Sequence, residues 1–125
     1  MTLRKIRLEL ARDHDFPDGS RRHGYELVAP LDANGHIDAA AWDKSRARCR
    51  VRRFWEGEDD EIGHVVRKPG GSWAFHYDIN GEEDDDETGY RLAQHKFMMG
   101  EYVSIRDHDD DKLRTFRVVS VTAAE

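Results

Sequence analysis

Near the start of the chain Ile6, Leu8 and Leu10 alternate with Arg7, Glu9 and Ala11. Residues two apart on an extended chain share a face, so this alternation predicts a strand with one dry and one wet side. Tyr25, Leu27 and Ala29 repeat the pattern and stop at Pro30. Ala47, Cys49, Val51 and Trp55 repeat it against Arg46, Arg48, Arg50, Arg52 and Phe54. Glu61 to Lys68 and Ser72 to Ile79 form a pair around Pro69-Gly70-Gly71, and Tyr102 to Arg106 with Leu113 to Val121 form another. Several short alternating runs separated by turn residues predict a mainly β fold. The expectation is a single antiparallel β-barrel or sandwich of about six or seven strands with one short helix, spanning residues 1–125 as one domain.

The helix is placed by Asp38, which caps Ala39-Ala40-Ala41-Trp42. Aspartate accepts from the free N–H groups of a first turn, and alanine has the highest helix propensity. A second helical turn is suggested over Glu87 to His95, where Tyr90, Ala93 and Phe97 stand three to four apart, with strand over Gln94 to Met99 as the alternative. His14 to His23, with Pro17, Gly19 and Ser20, reads as a loop, and the tail after Val121 as frayed.

The Pro69-Gly70-Gly71 hairpin admits two registers. A two-residue loop sets Val66 opposite Trp73, His64 opposite Phe75 and Ile62 opposite Tyr77. A three-residue loop sets Arg67 opposite Trp73 and Val65 opposite Phe75. One residue of slip exchanges the faces of one strand. The first register is preferred because it gathers Ile62, His64, Val66, Trp73, Phe75, Tyr77 and Ile79 on one face.

Composition and charge refine this picture. The 125 residues are 37% charged and 38% apolar or aromatic, with a net charge of −6. That charge hides a split. Residues 1–53 hold 12 Lys/Arg against 8 Asp/Glu, and residues 54–125 hold 8 against 18. Much of the acid lies in three runs, Glu56 to Glu61, Glu82 to Glu87 and Asp107 to Asp111, read as solvated connections between strands. The overall acidity argues against an extended nucleic-acid contact, which needs local positive charge. No apolar run approaches the ~20 residues that span a bilayer. The N-terminus carries no secretory pattern, so a cytoplasmic location is expected. The single cysteine, Cys49, excludes an internal disulfide, and its inward parity makes it a small hydrophobe rather than a nucleophile.

Four candidate chemistries remain. Arg46, Arg48, Arg50 and Arg52, with Phe54 at the end, stand on the outer face of the third run and suit carboxylate or phosphate. Glu26 or Glu9 on neighbouring strands would serve as internal partners for the same groups. A homodimer, an acidic protein or an acidic ligand would match them as external partners. Trp42, His64, Trp73, Phe75 and Tyr77 would line a cavity if the barrel were hollow. His76 and Asp78, two apart on a strand, are the best-placed pair for a base and its orienter in a hydrolase or isomerase.

The last is a cation loop. Asp32 to Asp38 imitates the middle of an EF-hand, but Pro30 and Ala41 stand where its first and last ligands belong, so a tight Asn-Gly turn entering a capped helix is the expectation. Asp78-Ile79-Asn80-Gly81 lacks the glycine at the required place. No metal or cofactor is therefore expected. No phosphate loop, zincin or nucleophile-elbow motif occurs, and the balance leans away from an enzyme. The reading is a small β-rich binding or interaction module using a basic strand face and an aromatic hairpin.

Overall fold

The computed structural model describes residues 3–68, 73–79, 87–90, 96–106 and 112–124. These form β1 (Leu3–Leu10), β2 (Ser20–Pro30), α1 (Ala39–Lys44), β3 (Arg50–Trp55), β4 (Glu61–Arg67), β5 (Trp73–Ile79), β6 (Glu87–Tyr90), β7 (Tyr102–Arg106) and β8 (Leu113–Ala123). Each strand pairs antiparallel with the next, and β8 returns to β1, so the sheet closes into a barrel. Closure removes the exposed edges that an open sheet must otherwise protect. Among the described residues no helix is long and apolar enough to cross a membrane.

The period-two alternation sorts as its chemistry requires. Ile6, Leu8 and Leu10 of β1, Tyr25, Leu27 and Ala29 of β2, Val103 and Ile105 of β7, and Phe116 and Val118 of β8 are buried inside. The Tyr25 ring meets Phe75 at 5.3 Å and Phe116 at 5.0 Å, so side chains from β2, β5 and β8 touch across the axis. Trp73, Phe75 and Tyr77 are each at most 3% exposed and belong to this core.

Cys49 sits in the same core. Burial pushes its thiol up to about 11, against a smaller opposing pull from Arg48.

The long β2–β3 connection crosses one end of the barrel. Asp32 Oδ1 accepts from the backbone N–H of Asn34 at 2.8 Å and of His36 at 3.0 Å, and Gly35 takes a positive φ of 84°. Asp38 then caps α1 through the Ala41 N–H at 3.0 Å. The expected turn and capped helix are both present. Trp42 of α1 donates its indole N–H to the Val65 carbonyl at 2.9 Å and meets Trp73 edge-on at 5.1 Å, which fastens the helix to β4 and β5.

Four sequence expectations change. First, Arg46–Arg48 is a turn of 3-10 helix, and β3 begins only at Arg50. Arg48 N–H bonds Ser45 O and Cys49 N–H bonds Arg46 O, closing the turn, and the Cys49 carbonyl then accepts from the Val65 N–H of β4 at 2.8 Å. Arg46 and Arg48 are therefore not on the strand, and Ala47 is exposed rather than inward.

Second, β4 and β5 adopt the other register. Val65 faces Phe75, Arg67 faces Trp73 and His64 faces His76, with an irregularity between Ile62 and Gly63. This keeps a polar imidazole out of the core, where burying one costs about 1–3 kcal/mol unless it is bonded. His64 consequently lies on the outer face, away from Trp73, Phe75 and Tyr77.

Third, Glu87–Tyr90 is strand β6, not a helical turn, because β5 and β7 supply its ladder on both sides. Residues 91–95 lie outside the described residues, as do Asn80-Gly81 and the acidic segments 82–86 and 107–111. Fourth, the loop after β1 ends at Gly19, and Ser20 to His23 already belong to β2.

Candidate functional site

Two polar clusters are built onto the barrel, one at a mouth and one on its outer face. The first closes the mouth where β1, β3, β5 and β7 end. Arg53 and Arg114 point inward here and are 1% and 5% exposed. Buried guanidinium groups need anions, and the neighbouring loops bring them. Arg114 donates to Asp13 at 2.9 Å and to Asp15 at 3.1 Å, and Lys112 adds a contact to Asp15 at 3.1 Å. Hydrogen bonds from Lys112 and then Arg114 hold the Asp15 carboxyl below its ordinary value. Arg53 reaches Glu58 and Glu61, each at 3.4 Å. Glu61, the first residue of β4, is buried rather than solvated.

Between these pairs the His23 ring sits 4.5 Å from Phe16 and 4.4 Å from Trp55, with Nδ1 2.6 Å from Ser20 Oγ. Burial lowers the His23 pKa below its ordinary 6.5, against an opposing pull from Glu56. This mouth is a charge-matched plug. Its guanidinium groups are held by acids of the same chain, which leaves little for a ligand to do.

On the barrel side, Arg52 bonds both Glu26 and Asp60, the latter at 2.8 Å. Burial works to raise the Glu26 carboxyl, but the Arg52 hydrogen bond and the charges of Arg52, Lys5 and Arg7 outweigh it and lower it. Phe54 lies beneath two guanidinium groups, Arg7 at 4.4 Å and Arg52 at 5.1 Å, and is only 8% exposed. Phe54 is therefore a covered shelf, not an exposed contact, and Arg52 is engaged with the carboxylate from β2 that its sequence context suggested.

The second cluster lies on the outer face of β3, β4 and β5, beside α1. Register places Arg50 opposite His64, and His64 opposite His76, so the three stand in one cross-strand row. Arg50 Nη1 is 3.3 Å from His64 Nε2. A guanidinium has no acceptor, so His64 Nε2 accepts here and Nδ1 carries the ring proton.

A cleft of about 390 Å³ adjoins this row, lined by Trp42, Arg46, Ala47, His64, Val65, Val66, Arg67 and His76. Arg46 stacks on Trp42 with its guanidinium carbon 4.6 Å from the ring and bonds Asp43. Arg67 approaches the Trp73 ring at 5.7 Å. Among the described residues neither Arg50 nor Arg67 has a carboxylate within ion-pair distance.

Comparison with known protein families, curated proteins and solved structures finds no match. The site must therefore be read from its own chemistry.

The structure regroups the sequence candidates. Arg50 stays on the outer face in a row with His64 and His76, while Arg46 and Trp42 line the cleft that His64 and His76 border. Arg52 and Phe54 belong to an internal network instead. Arg48 is exposed on its 3-10 turn. The proposed pair of His76 and Asp78 is half seen, since His76 borders the cleft and the Asp78 side chain lies outside the described residues. The inward arginines and the His23 stack were not anticipated. Their one sequence signal was Arg53 following Arg52, which breaks the alternation and puts a charge at a dry position.

Proposed function

We propose that the protein is a binding module for an anionic ligand or acidic segment, using the outer face of β3 to β5 and the cleft beside it between α1, β4 and β5. The observation that carries this reading is that Arg50, which heads the row with His64 and His76, and Arg67 at the end of β4 are exposed without a neighbouring carboxylate from the described residues. Several other described arginines are matched to acids. Arg7 pairs with Glu9, Arg52 with Glu26 and Asp60, and Arg114 with Asp13 and Asp15. Exposed guanidinium groups without a carboxylate among the described residues can take an external anion. Val66, Ala47 and the edge of Trp42 supply apolar contact beside the charges, as small-ligand sites commonly do.

Titration at low salt, followed by backbone amide shifts, tests this reading. Hexaglutamate and O-phosphoserine are each added to the protein. Shifts confined to Arg50, His64, Arg67, His76 and their neighbours are expected with one or both. The absence of localised shifts with either probe at millimolar concentration would refute the proposal.

A further inference from the structure

We infer that a second cleft, on the outer face of β1, β7 and β8, takes a nucleoside phosphate. It shares no lining residue with the cleft beside β4 and β5, so it does not depend on the reading above. Its volume is about 910 Å³. Arg12, Arg21 and Arg117 line it from three elements: the chain just after β1, the start of β2, and β8. All three are exposed, and among the described residues none has a carboxylate within ion-pair distance. Tyr102, 56% exposed, lies opposite Arg117 in the β7–β8 pairing and lines the same cleft.

The charge of this cleft is available to a ligand. Glu9 stands opposite Arg117 on β1, but its carboxylate bonds Arg7 at 2.8 Å instead. That leaves Asp18 as the other carboxylate of the lining, against three arginines, so the surplus is positive. Guanidinium forks match phosphate oxygens. The wall is also built before a ligand arrives. Ala11 N–H bonds the Thr115 carbonyl at 3.0 Å, and Asp13 and Phe16 exchange backbone bonds at 2.9 and 3.1 Å. Gly19, at a φ of 72°, then donates to the Phe16 carbonyl at 2.9 Å and closes the loop. A preformed backbone lowers the ordering cost of binding.

Tyr102 separates a nucleoside phosphate from other anions. An acidic peptide would use the arginines and leave the ring idle, and inorganic phosphate would do the same. An exposed ring beside cationic side chains is the combination that stacks a base while the cations hold its phosphate. A volume of about 910 Å³ lies toward the upper end of the ~300–1,000 Å³ typical of small-ligand sites, with room for base, sugar and phosphate together. The acidity of the whole chain does not oppose this, because one nucleotide needs positive charge only where it sits.

The test is a backbone-amide shift titration of the full chain at low salt with four probes: adenosine 5′-monophosphate, ribose 5-phosphate, a single-stranded hexadeoxyadenylate and hexaglutamate. Adenosine monophosphate is expected to shift Arg12, Arg21, Tyr102, Arg117 and their neighbours, and to bind roughly fivefold or more tighter than ribose 5-phosphate, the gain from stacking. Tyr102→Ser should abolish that difference and leave ribose 5-phosphate binding unchanged. Arg12→Ser and Arg117→Ser should each weaken both probes by roughly tenfold, the loss of a charge-assisted hydrogen bond. All the substituted positions are exposed, and unchanged circular dichroism would exclude misfolding as the cause.

Equal affinity for the monophosphate and the hexanucleotide supports a free nucleotide, and tighter binding of the hexanucleotide supports the same unit within a single strand. Equal binding of adenosine monophosphate and ribose 5-phosphate, indifferent to Tyr102→Ser, overturns the nucleoside assignment. Hexaglutamate binding that is lost in Arg117→Ser, with none of the nucleotides bound, overturns it in favour of an acidic peptide. Shifts confined to Arg50, His64 and their neighbours overturn this cleft while supporting the other, and no shift with any probe overturns it outright.

Discussion

Substituting Gly63 by alanine tests the register on which the site depends. In the observed pairing Gly63 faces Tyr77, and a Cβ at this position would stand 1.8 Å from the His76 carbonyl oxygen and 2.7 Å from the Tyr77 Cα. Real Cβ contacts essentially never fall under 3.0 Å, and both neighbours are backbone, so no side chain can swing aside. The strands would have to part locally. Overpacking of this kind costs about 1–3 kcal/mol. Disturbing two ladder hydrogen bonds adds ~1 kcal/mol each.

The expected loss is therefore about 3–5 kcal/mol, set against a total stability of order 5–15 kcal/mol for a domain. In the alternative register, with His64 facing Phe75, residue 63 would face His76 on the wet outer side and a methyl would be tolerated. Urea unfolding followed by tryptophan fluorescence reads the difference. A Gly63→Ala midpoint within about 0.5 kcal/mol of the parent, at unchanged slope, would refute the pairing and with it the His64/His76 row.

Three further outcomes follow from the interior. Arg53→Met leaves the buried Glu61 carboxylate without its guanidinium and should cost about 3–5 kcal/mol, whereas Arg53→Met with Glu61→Leu should recover most of that; a double variant no more stable than the single one would contradict the pairing. His23 has its pKa lowered by burial, so the unfolded chain takes up a proton that the folded chain refuses. Its contribution is complete above its ordinary 6.5 and declines as the pH falls below that value. Denaturation midpoints should therefore drop on acidification, with a shallower slope in His23→Gln, and identical slopes would argue against it. Cys49, buried with its thiol raised to about 11, should react with a thiol reagent only after denaturant is added; full labelling of the native protein within minutes would contradict its placement.

Much of this molecule was legible in the residues themselves. Alternation along β1, β2, β7 and β8 identified both the strands and the faces they bury, because a two-residue period is a local property of an extended chain. Asp38 before three alanines and Asn34-Gly35 after Asp32 likewise announced α1 and its entry turn through short-range hydrogen bonding. Glu26 could be named as a partner for the arginines of β3 because like-spaced charges on adjacent strands meet once those strands pair.

The site itself was decided at a longer range. Parity within a strand says which residues share a face, but not which face looks inward, and the hairpin loop sets that relation between β4 and β5. Closure of the barrel then chose the register that packs Val65, Trp73, Phe75 and Tyr77 together and expels His64. The same closure turned Arg53 and Arg114 inward, where acids from adjoining loops could neutralise them. Local periodicity determined the strands of this protein. Which side chains meet across the strands depended on loop length and on the packing of a closed interior, quantities that exist only once the whole sheet has formed.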